Sequence, residues 1–376
     1  MDKRTFTYLL FLGCLCALPF KRIRAQFYTA GGEISYKFLY RTEGEFPTNH
    51  YKVTVKIYKE CQISDDLPPF SVTLLCALVN PPNVQPPYNP DNTFRKQVDM
   101  SNFYITKQDQ NSCSPNQQPI CYYVAEYTTQ VDLFDNWGEY MLYVQDDPRK
   151  TAAFENVSTD GLGKLSGGVM GYTYTTRIPG MLFSTLTSPI SSPIFKKDYP
   201  LILCAGQPFN YDFSAVDPDG DSLSYQFVPA YQGKIWTTPR YPATSTYPPF
   251  YILTYFPGYD GSNPLGSAAR IDPQTGMMSG TAPPRPGRYL VVVEVAKHHG
   301  GQVVTRHRKE IQFIFSNCTW PRAQLDSTYK NCKGTTINFT NYSTGVIKSY
   351  FWDFGDNSTT RDTSSLAQPS YHYPAP

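Results

Sequence analysis

Charge is scarce in this chain. Asp, Glu, Lys and Arg together make up 17% of its 376 residues, and the formal net charge is only +2. Five of the 33 basic side chains and one of the 31 acidic ones fall in residues 1–26, so the remaining 350 residues have a net charge of −2. No long basic run occurs, which leaves no clustered positive field for nucleic acid. Amphipathic helical periodicity is also missing, which argues against α/β folds and helical bundles. No G-x-S-x-G elbow, H-E-x-x-H pair, phosphate-binding glycine loop or dinucleotide fingerprint is present. No C-x-x-C pair lies beyond residue 26, so a structural zinc site has no basis. No segment after the N-terminus is apolar over the roughly 20 residues a membrane helix needs.

What the chain has instead is turn and core material. Pro and Gly supply 58 of the 376 residues, above the roughly 12% of an average chain. That proline content cannot sit inside helices. Aromatic residues, at 15%, supply more core material than a disordered chain carries. Together these point to strands and turns, in a chain long enough for two or three domains.

Residues 1–26 read as an export signal. Lys3 and Arg4 precede an apolar run from Tyr8 to Phe20, with a small-residue cleavage site at Ala25-Gln26. The basic stretch Lys21-Arg22-Ile23-Arg24 before the cut is unusual. A rival reading is a lipoprotein signal with Cys14 as the lipidated residue, although Phe11 stands where an aliphatic residue is expected. Export makes Cys61, Cys76, Cys113, Cys121, Cys204, Cys318 and Cys332 disulfide candidates. Cys61 and Cys76 flank one loop between apolar runs, as do Cys113 and Cys121, so both pairs are expected to bridge. Cys318 is left to pair either with Cys204, tying the first and last strands of one domain, or with Cys332. One of the seven must be odd.

The alternation of Tyr51 to Tyr58 puts Val53, Val55 and Ile57 on one strand face. Further strands are expected at 71–79, 121–131 and 139–144, with a Pro/Asn-rich loop over 81–91 and a glycine-rich connection over 158–171. Residues 184–200 contain Pro189, Pro193 and Pro200 among Ser and Thr, the composition of a linker. Strands then recur over 208–316. Tyr289 to Val295 is continuously apolar, as in a strand covered on both faces, and His298-His299-Gly300-Gly301 reads as a hairpin turn. The expected division is an export signal over 1–26, an N-terminal β-sandwich over 27–183, a linker over 184–200, a second β-sandwich over 201–316 and a third unit over 317–376. The third unit stops short of the 80–100 residues of a sandwich domain and is expected to be incomplete.

Two motifs carry a resemblance. Trp352-Asp353-Phe354-Gly355-Asp356-Asn357, followed by Pro369 and Tyr371-His372-Tyr373, resembles the start of a PKD domain, with Asn357 where that pattern has Gly. Ala215-Val-Asp217-Pro-Asp219-Gly-Asp221-Ser-Leu223-Ser-Tyr225, then Ile271-Asp272-Pro-Gln-Thr275-Gly276 and Gly287-Arg-Tyr289, resembles the cadherin-like or Ig-like modules of bacterial surface proteins. From Ala30-Gly31-Gly32-Glu33 onward the chain is similar to secreted Bacteroidetes proteins of the PKD-domain and gliding-motility-associated group. Cysteines common in that group near Val228 and Glu294 are absent here. The resemblance implies an all-β fold of tandem Ig-like β-sandwich modules with a partial C-terminal PKD domain. It also implies type IX secretion through a C-terminal signal, and display on the outer cell surface or in the extracellular matrix.

Asp217, Asp219 and Asp221 are the leading ligand candidates, because oxygens at alternate positions around a glycine turn suit a hard cation such as calcium. The same sequence also makes an Asx-type turn with no ion, so no cofactor is required. Asp353 and Asp356 read as turn formers, His372 as structural. The prominent carboxylates all sit in turns, so the chain is expected not to be an enzyme. A surface protein or a polysaccharide is the expected partner, gripped by the N-terminal module. The alternatives are a carbohydrate-binding accessory region of a larger secreted enzyme and a lipid-anchored outer-membrane component. The Tyr-rich stretch with Trp236, Tyr241, Tyr247, Tyr251 and Tyr255 reads as sheet-filling aromatics, with sugar stacking as the competing role.

Overall fold

The computed structural model describes residues 29–60, 71–79, 95–110, 120–135, 138–145, 154–158, 171–181, 186–197, 202–234, 248–318, 322–330, 334–344, 347 and 349–374. The expected export signal, the 81–91 loop, Cys61, Cys113, Cys332, Trp236, Tyr241 and Tyr247 lie outside these residues. Every regular element among the described residues is a β-strand, and the chain is all-β.

The N-terminal part contributes β1 (Thr29–Thr42), β2 (Thr48–Glu60), β3 (Val72–Val79), β4 (Arg95–Met100), β5 (Phe103–Gln110), β6 (Ile120–Phe134), β7 (Glu139–Gln145), β8 (Val157–Ser158) and β9 (Thr173–Ile178). The period-two pattern of β2 is realised: Tyr51, Val53, Val55 and Ile57 are buried in one core, while Lys52 faces solvent. That core takes Ile34 and Tyr36 from β1, Ala125 and Tyr127 from β6, Leu74 from β3, Leu142 and Val144 from β7, and Tyr174 from β9. These strands form two runs of the hydrogen-bonded order, β4-β3-β7-β9 and β1-β2-β6-β5, and side chains of both runs meet in this one core. The sheet therefore folds back on itself to enclose the core, as two layers of a sandwich do.

Cys76 is buried in this core as a thiol. The expected Cys61–Cys76 bridge is thereby corrected. Strand alternation turns Cys76 inward beside Val72 and Leu74, where it packs as a small hydrophobe. Cys121 is disulfide-bonded, and its expected partner Cys113 lies outside the described residues.

The second part contributes β10 (Ile194–Phe195), β11 (Ile202–Cys204), β12 (Pro208–Asp212), β13 (Ala215–Val216), β14 (Ser222–Phe227), β15 (Thr254–Tyr255), β16 (Ala269–Ile271), β17 (Met277–Thr281), β18 (Gly287–His299) and β19 (Gln302–Ser316). Its core lies between β12-β17-β16 and β14-β18-β19, with Tyr211, Phe213, Met278, Tyr289, Val291, Val293, Ile311 and Phe313 at its centre. β18 is covered on both faces, as its sequence predicts. Tyr289, Val291 and Val293 enter this core, and Leu290 and Val292 enter a separate cluster with Phe154, Val157 and Leu253. The β18–β19 turn falls at Gly300 and Gly301, whose φ values of 59° and 80° match a two-residue type I′ hairpin. Cys204 at the end of β11 is bonded to Cys318 just beyond β19, across a sequence separation of 114. This decides between the two pairings left open for Cys318.

The two cores share a backbone. β19 pairs with β18 on one edge, and its other edge meets β9 at His307, β1 at Lys309–Ile311 and β11 at Ile314–Ser316. One 12-stranded sheet therefore runs through both parts. The residue pair Gly31-Gly32 is what admits β1 to β19. A Cβ on Gly31, whose φ is 144°, would lie 2.1 Å from the Glu310 carbonyl oxygen, and one on Gly32 would lie 2.3 Å from the Tyr174 ring. Asn156, fully buried, imitates a strand neighbour: its amide accepts from the Leu290 N–H and donates to the Leu290 carbonyl. Residues 186–197, part of the expected linker, are threaded into this junction. Leu186, Ile190, Ser191, Ser192 and Phe195 are buried, and Ser192 exchanges hydrogen bonds with the Tyr36 backbone.

The third part contains β20 (Thr336–Asn338), β21 (Trp352–Asp353), β22 (Thr363–Ser364) and β23 (Ser370–His372), paired β20–β23 and β21–β22. Trp352 and Phe354, two residues apart, both pack on Phe339, and Phe354 stacks on Tyr371 at 4.6 Å. Alternation along a strand puts both rings on one face.

Candidate functional site

The three aspartates singled out by spacing come together. Asp217 opens the turn after β13, and its Oδ2 accepts the Asp221 N–H at 2.7 Å. One oxygen of each carboxylate then converges on the Lys297 ammonium. Nζ lies 2.9 Å from Asp217, 2.5 Å from Asp219 and 3.2 Å from Asp221. The Lys297 side chain is fully buried. It leaves β18 on the same face as Val293 and Val295, so its stem runs past the end of the second core. The strand is bulged between Lys297 and His298, a device that re-aims side chains at a sheet edge. Burial by itself would lower the Lys297 pKa, but the carboxylates of Asp219 and Asp217 more than reverse this and raise it. Burial likewise pushes Asp221 up, and His299, at 2.8 Å, together with Lys297 brings it below its ordinary value. Asp219 also accepts the Ser191 N–H at 2.7 Å, and Lys297 donates to the Ser191 carbonyl at 3.3 Å. The turn therefore clamps the buried segment between the two cores.

A second buried cluster sits where β1 meets β19. Glu33 Oε1 accepts from Tyr58 at 2.6 Å and from Lys309 Nζ at 3.0 Å, and its Oε2 lies 3.2 Å from His307 Nε2. Lys309 also donates to the Lys197 carbonyl, and its ammonium lies 5.2 Å from the Tyr58 and Phe195 ring centres. Glu33, His307 and Lys309 are all buried. Burial would push the Glu33 carboxyl up, yet the Lys309 charge and the His307 contact hold it far below the usual carboxylate range. Outside the cluster, Arg288 grips Glu60 with two hydrogen bonds, at 2.6 and 2.8 Å. Nothing in the residue spacing marks Glu33 or Lys309, because their strands are 276 residues apart in the chain.

The remaining candidates have local work. His298 contacts Ser224 and His299 contacts Asp221. Asp353 accepts the Gly355 N–H, and Asp356 accepts from Ser358 and Tyr371, as turn formers do. His372 lies against the Thr335 and Thr336 hydroxyls. Among the described residues no group of three or more His, Cys, Asp or Glu is arranged to hold a metal ion. No helix among them is long and apolar enough to cross a membrane.

The outer face of the β1-β2-β6 layer carries a feature that spacing did not reveal. Tyr40, 52% exposed, stacks on His50 with ring centres 4.2 Å apart. His50 Nδ1 lies 2.7 Å from Asp132, which also accepts from Gln130 at 3.0 Å. Phe134, 49% exposed, stands two residues along β6 from Asp132, with Phe46 edge-on to it. The bulge between Phe38 and Tyr40 turns Tyr40 onto this face, which simple alternation from Tyr36 would not do. No family model matches the chain, and no curated protein matches it.

Proposed function

We propose that this chain is a non-catalytic structural or adhesive part of an exported protein, displayed on a bacterial surface or in the surrounding matrix. In this reading the two sandwiches are tandem Ig-like modules and the third unit is PKD-like. The resemblance to gliding-motility-associated proteins adds type IX secretion to the proposal. The observation that carries it is the continuous sheet from β4 to β5 through β19. Buried Glu33 with Lys309 ties one part of the chain to the other, and Asp219 with Lys297 holds the segment between them at Ser191. Such an arrangement suits a stiff spacer, because bending at the junction would strip buried ions of their partners. The Cys204–Cys318 bond adds a covalent staple, as suits an oxidising compartment. The test is antibody labelling of intact producer cells followed by protease shaving. Labelling of unbroken cells and release by protease are expected; labelling only after lysis would overturn the reading.

A second reading, a carbohydrate-binding accessory region, is favoured by the outer face around Tyr40. An exposed ring flanked by carboxylate and amide groups has the chemistry that sugars use, C–H faces on aromatics and hydroxyls on polar side chains. A polysaccharide panel separates the two readings: retention of the chain that is lost in Tyr40→Ala supports it, and no retention on any polysaccharide removes it.

A further inference from the structure

The Asp217-Pro-Asp219-Gly-Asp221 turn has carboxylates at alternate positions around a glycine, a spacing that suits a hard cation such as calcium as well as an ion-free Asx turn. The residues present do not fit that ion. Calcium needs six to eight oxygens at about 2.3–2.6 Å around a common centre. The point on which these three carboxylates converge is a lysine nitrogen, at 2.9, 2.5 and 3.2 Å. A divalent ion placed there would sit on the ammonium, in a region where the Lys297 side chain has no exposed surface and charge repulsion is poorly screened.

We infer that Lys297 is the resident cation of this turn, so that the second module holds its aspartate loop, and through it the inter-module segment, without any divalent ion. The inference goes beyond the proposed surface role and does not depend on it. The lysine satisfies the geometric demand on the loop from inside the fold. It donates hydrogen bonds to Asp219 and the Ser191 carbonyl, and its charge lies 2.9 and 3.2 Å from the Asp217 and Asp221 carboxylates, so a tethered ammonium stands where a metal would use coordination. Its attachment to β18, opposite Leu223, means the cation is present at one per loop at any calcium concentration. The consequence reaches beyond the turn. Asp219 and Lys297 hold both backbone groups of Ser191, and the adjacent Ser192 is hydrogen-bonded to Tyr36 of β1. Closure of the junction is thus keyed to a side chain instead of to a solute.

The test uses the full chain. Thermal unfolding of the wild type is expected to be the same in EDTA and in about 1 mM calcium, the weak end of affinity for extracellular calcium modules. In Lys297→Gln the carboxylates lose their cation and retain their positions. Its melting temperature is expected to fall in EDTA and to recover on calcium titration, with half-recovery at about 0.1–1 mM. A wild-type melting temperature that depends on calcium would overturn the inference, as would a folded Lys297→Gln protein indifferent to calcium. Amine labelling of the wild type covers the case in which the variant does not fold. Lys297 should stay unmodified with or without calcium while the exposed Lys37 and Lys52 react; labelling of Lys297 that rises with calcium would show the ammonium displaced and refute the assignment.

Discussion

Glu33 is the carboxylate on which Lys309, His307 and Tyr58 converge at the junction between the two cores. Replacing it with Gln keeps its size and removes its charge, leaving the buried Lys309 ammonium beside a neutral amide. Removing one partner of a buried pair costs about 3–5 kcal/mol, and here His307 and Tyr58 lose a strong acceptor in the same step. The loss should appear as faster hydrogen exchange at the β1 and β19 amides, by about two to nearly four orders of magnitude. Exchange in the third unit, which shares none of these strands, should be unchanged. Lys309→Met should do similar damage. The double variant Glu33→Gln/Lys309→Met should cost less than the two single losses added together, because no bare charge remains. The sign with pH follows from the direction of the Glu33 shift. The unfolded carboxyl binds a proton near pH 4.3, while the folded one stays ionised far lower. The unfolded state therefore holds more protons below that pH, and stability falls as pH drops. The wild-type advantage over Glu33→Gln should be complete at neutral pH and shrink through the acid range below pH 4.3. Additive single costs, or an advantage that does not change with acid, would refute this account.

Other expectations are simpler to check. Gly31→Ala should destabilise the junction by roughly 2–5 kcal/mol in denaturant titration, from strain at positive φ plus a clash with the Glu310 carbonyl. Gly206→Ala, also at positive φ but with open space around it, should cost only about 1–2 kcal/mol; equal losses would mean the close approach is unimportant. Cys204→Ser should lower stability of the second part by about 2–5 kcal/mol, and reducing agent should cost the wild type more than the variant by that amount, since the Cys121 disulfide is present in both. Tyr289 has its pKa pushed up by burial and the neighbouring Tyr259 hydroxyl, so spectrophotometric titration should leave it protonated until the second core opens.

Local pattern and long-range contact were not equally readable from the residues. The face of Val53, Val55 and Ile57, the double burial of β18 and the turn at Gly300-Gly301 follow from period, β-branching and glycine conformation, all encoded within a few positions. The aspartate turn was equally visible, but its cation was not. Lys297 is 78 residues from Asp219, and a lysine on an apolar strand carries no local mark of where its amine ends. Residues 184–200 show the same limit. Proline and serine argued against long regular structure there, yet Leu186, Ile190 and Phe195 are packed inside, and Ile194-Phe195 forms the two-residue β10. Cys76 misled for a related reason: loop flanks suggested a bridge, whereas strand parity directs the thiol into the core.

The late partner of β1 has a consequence for how the chain reaches this state. β2 follows β1 after a short hairpin, so one edge of β1 is covered early. The other edge waits for β19, with Glu33 and Lys309 separated by 276 residues. At a synthesis rate of about 5–20 residues per second that interval is roughly 15–55 s, during which β1 offers an open edge to any strand that meets it. The waiting edge begins with two glycines, which have little tendency to add strands on their own and bring no side chain to hold a chance partner. The residues that make close docking possible thus also keep the edge unattractive until its own strand is made, so order of arrival is written into the same two positions as the final fit.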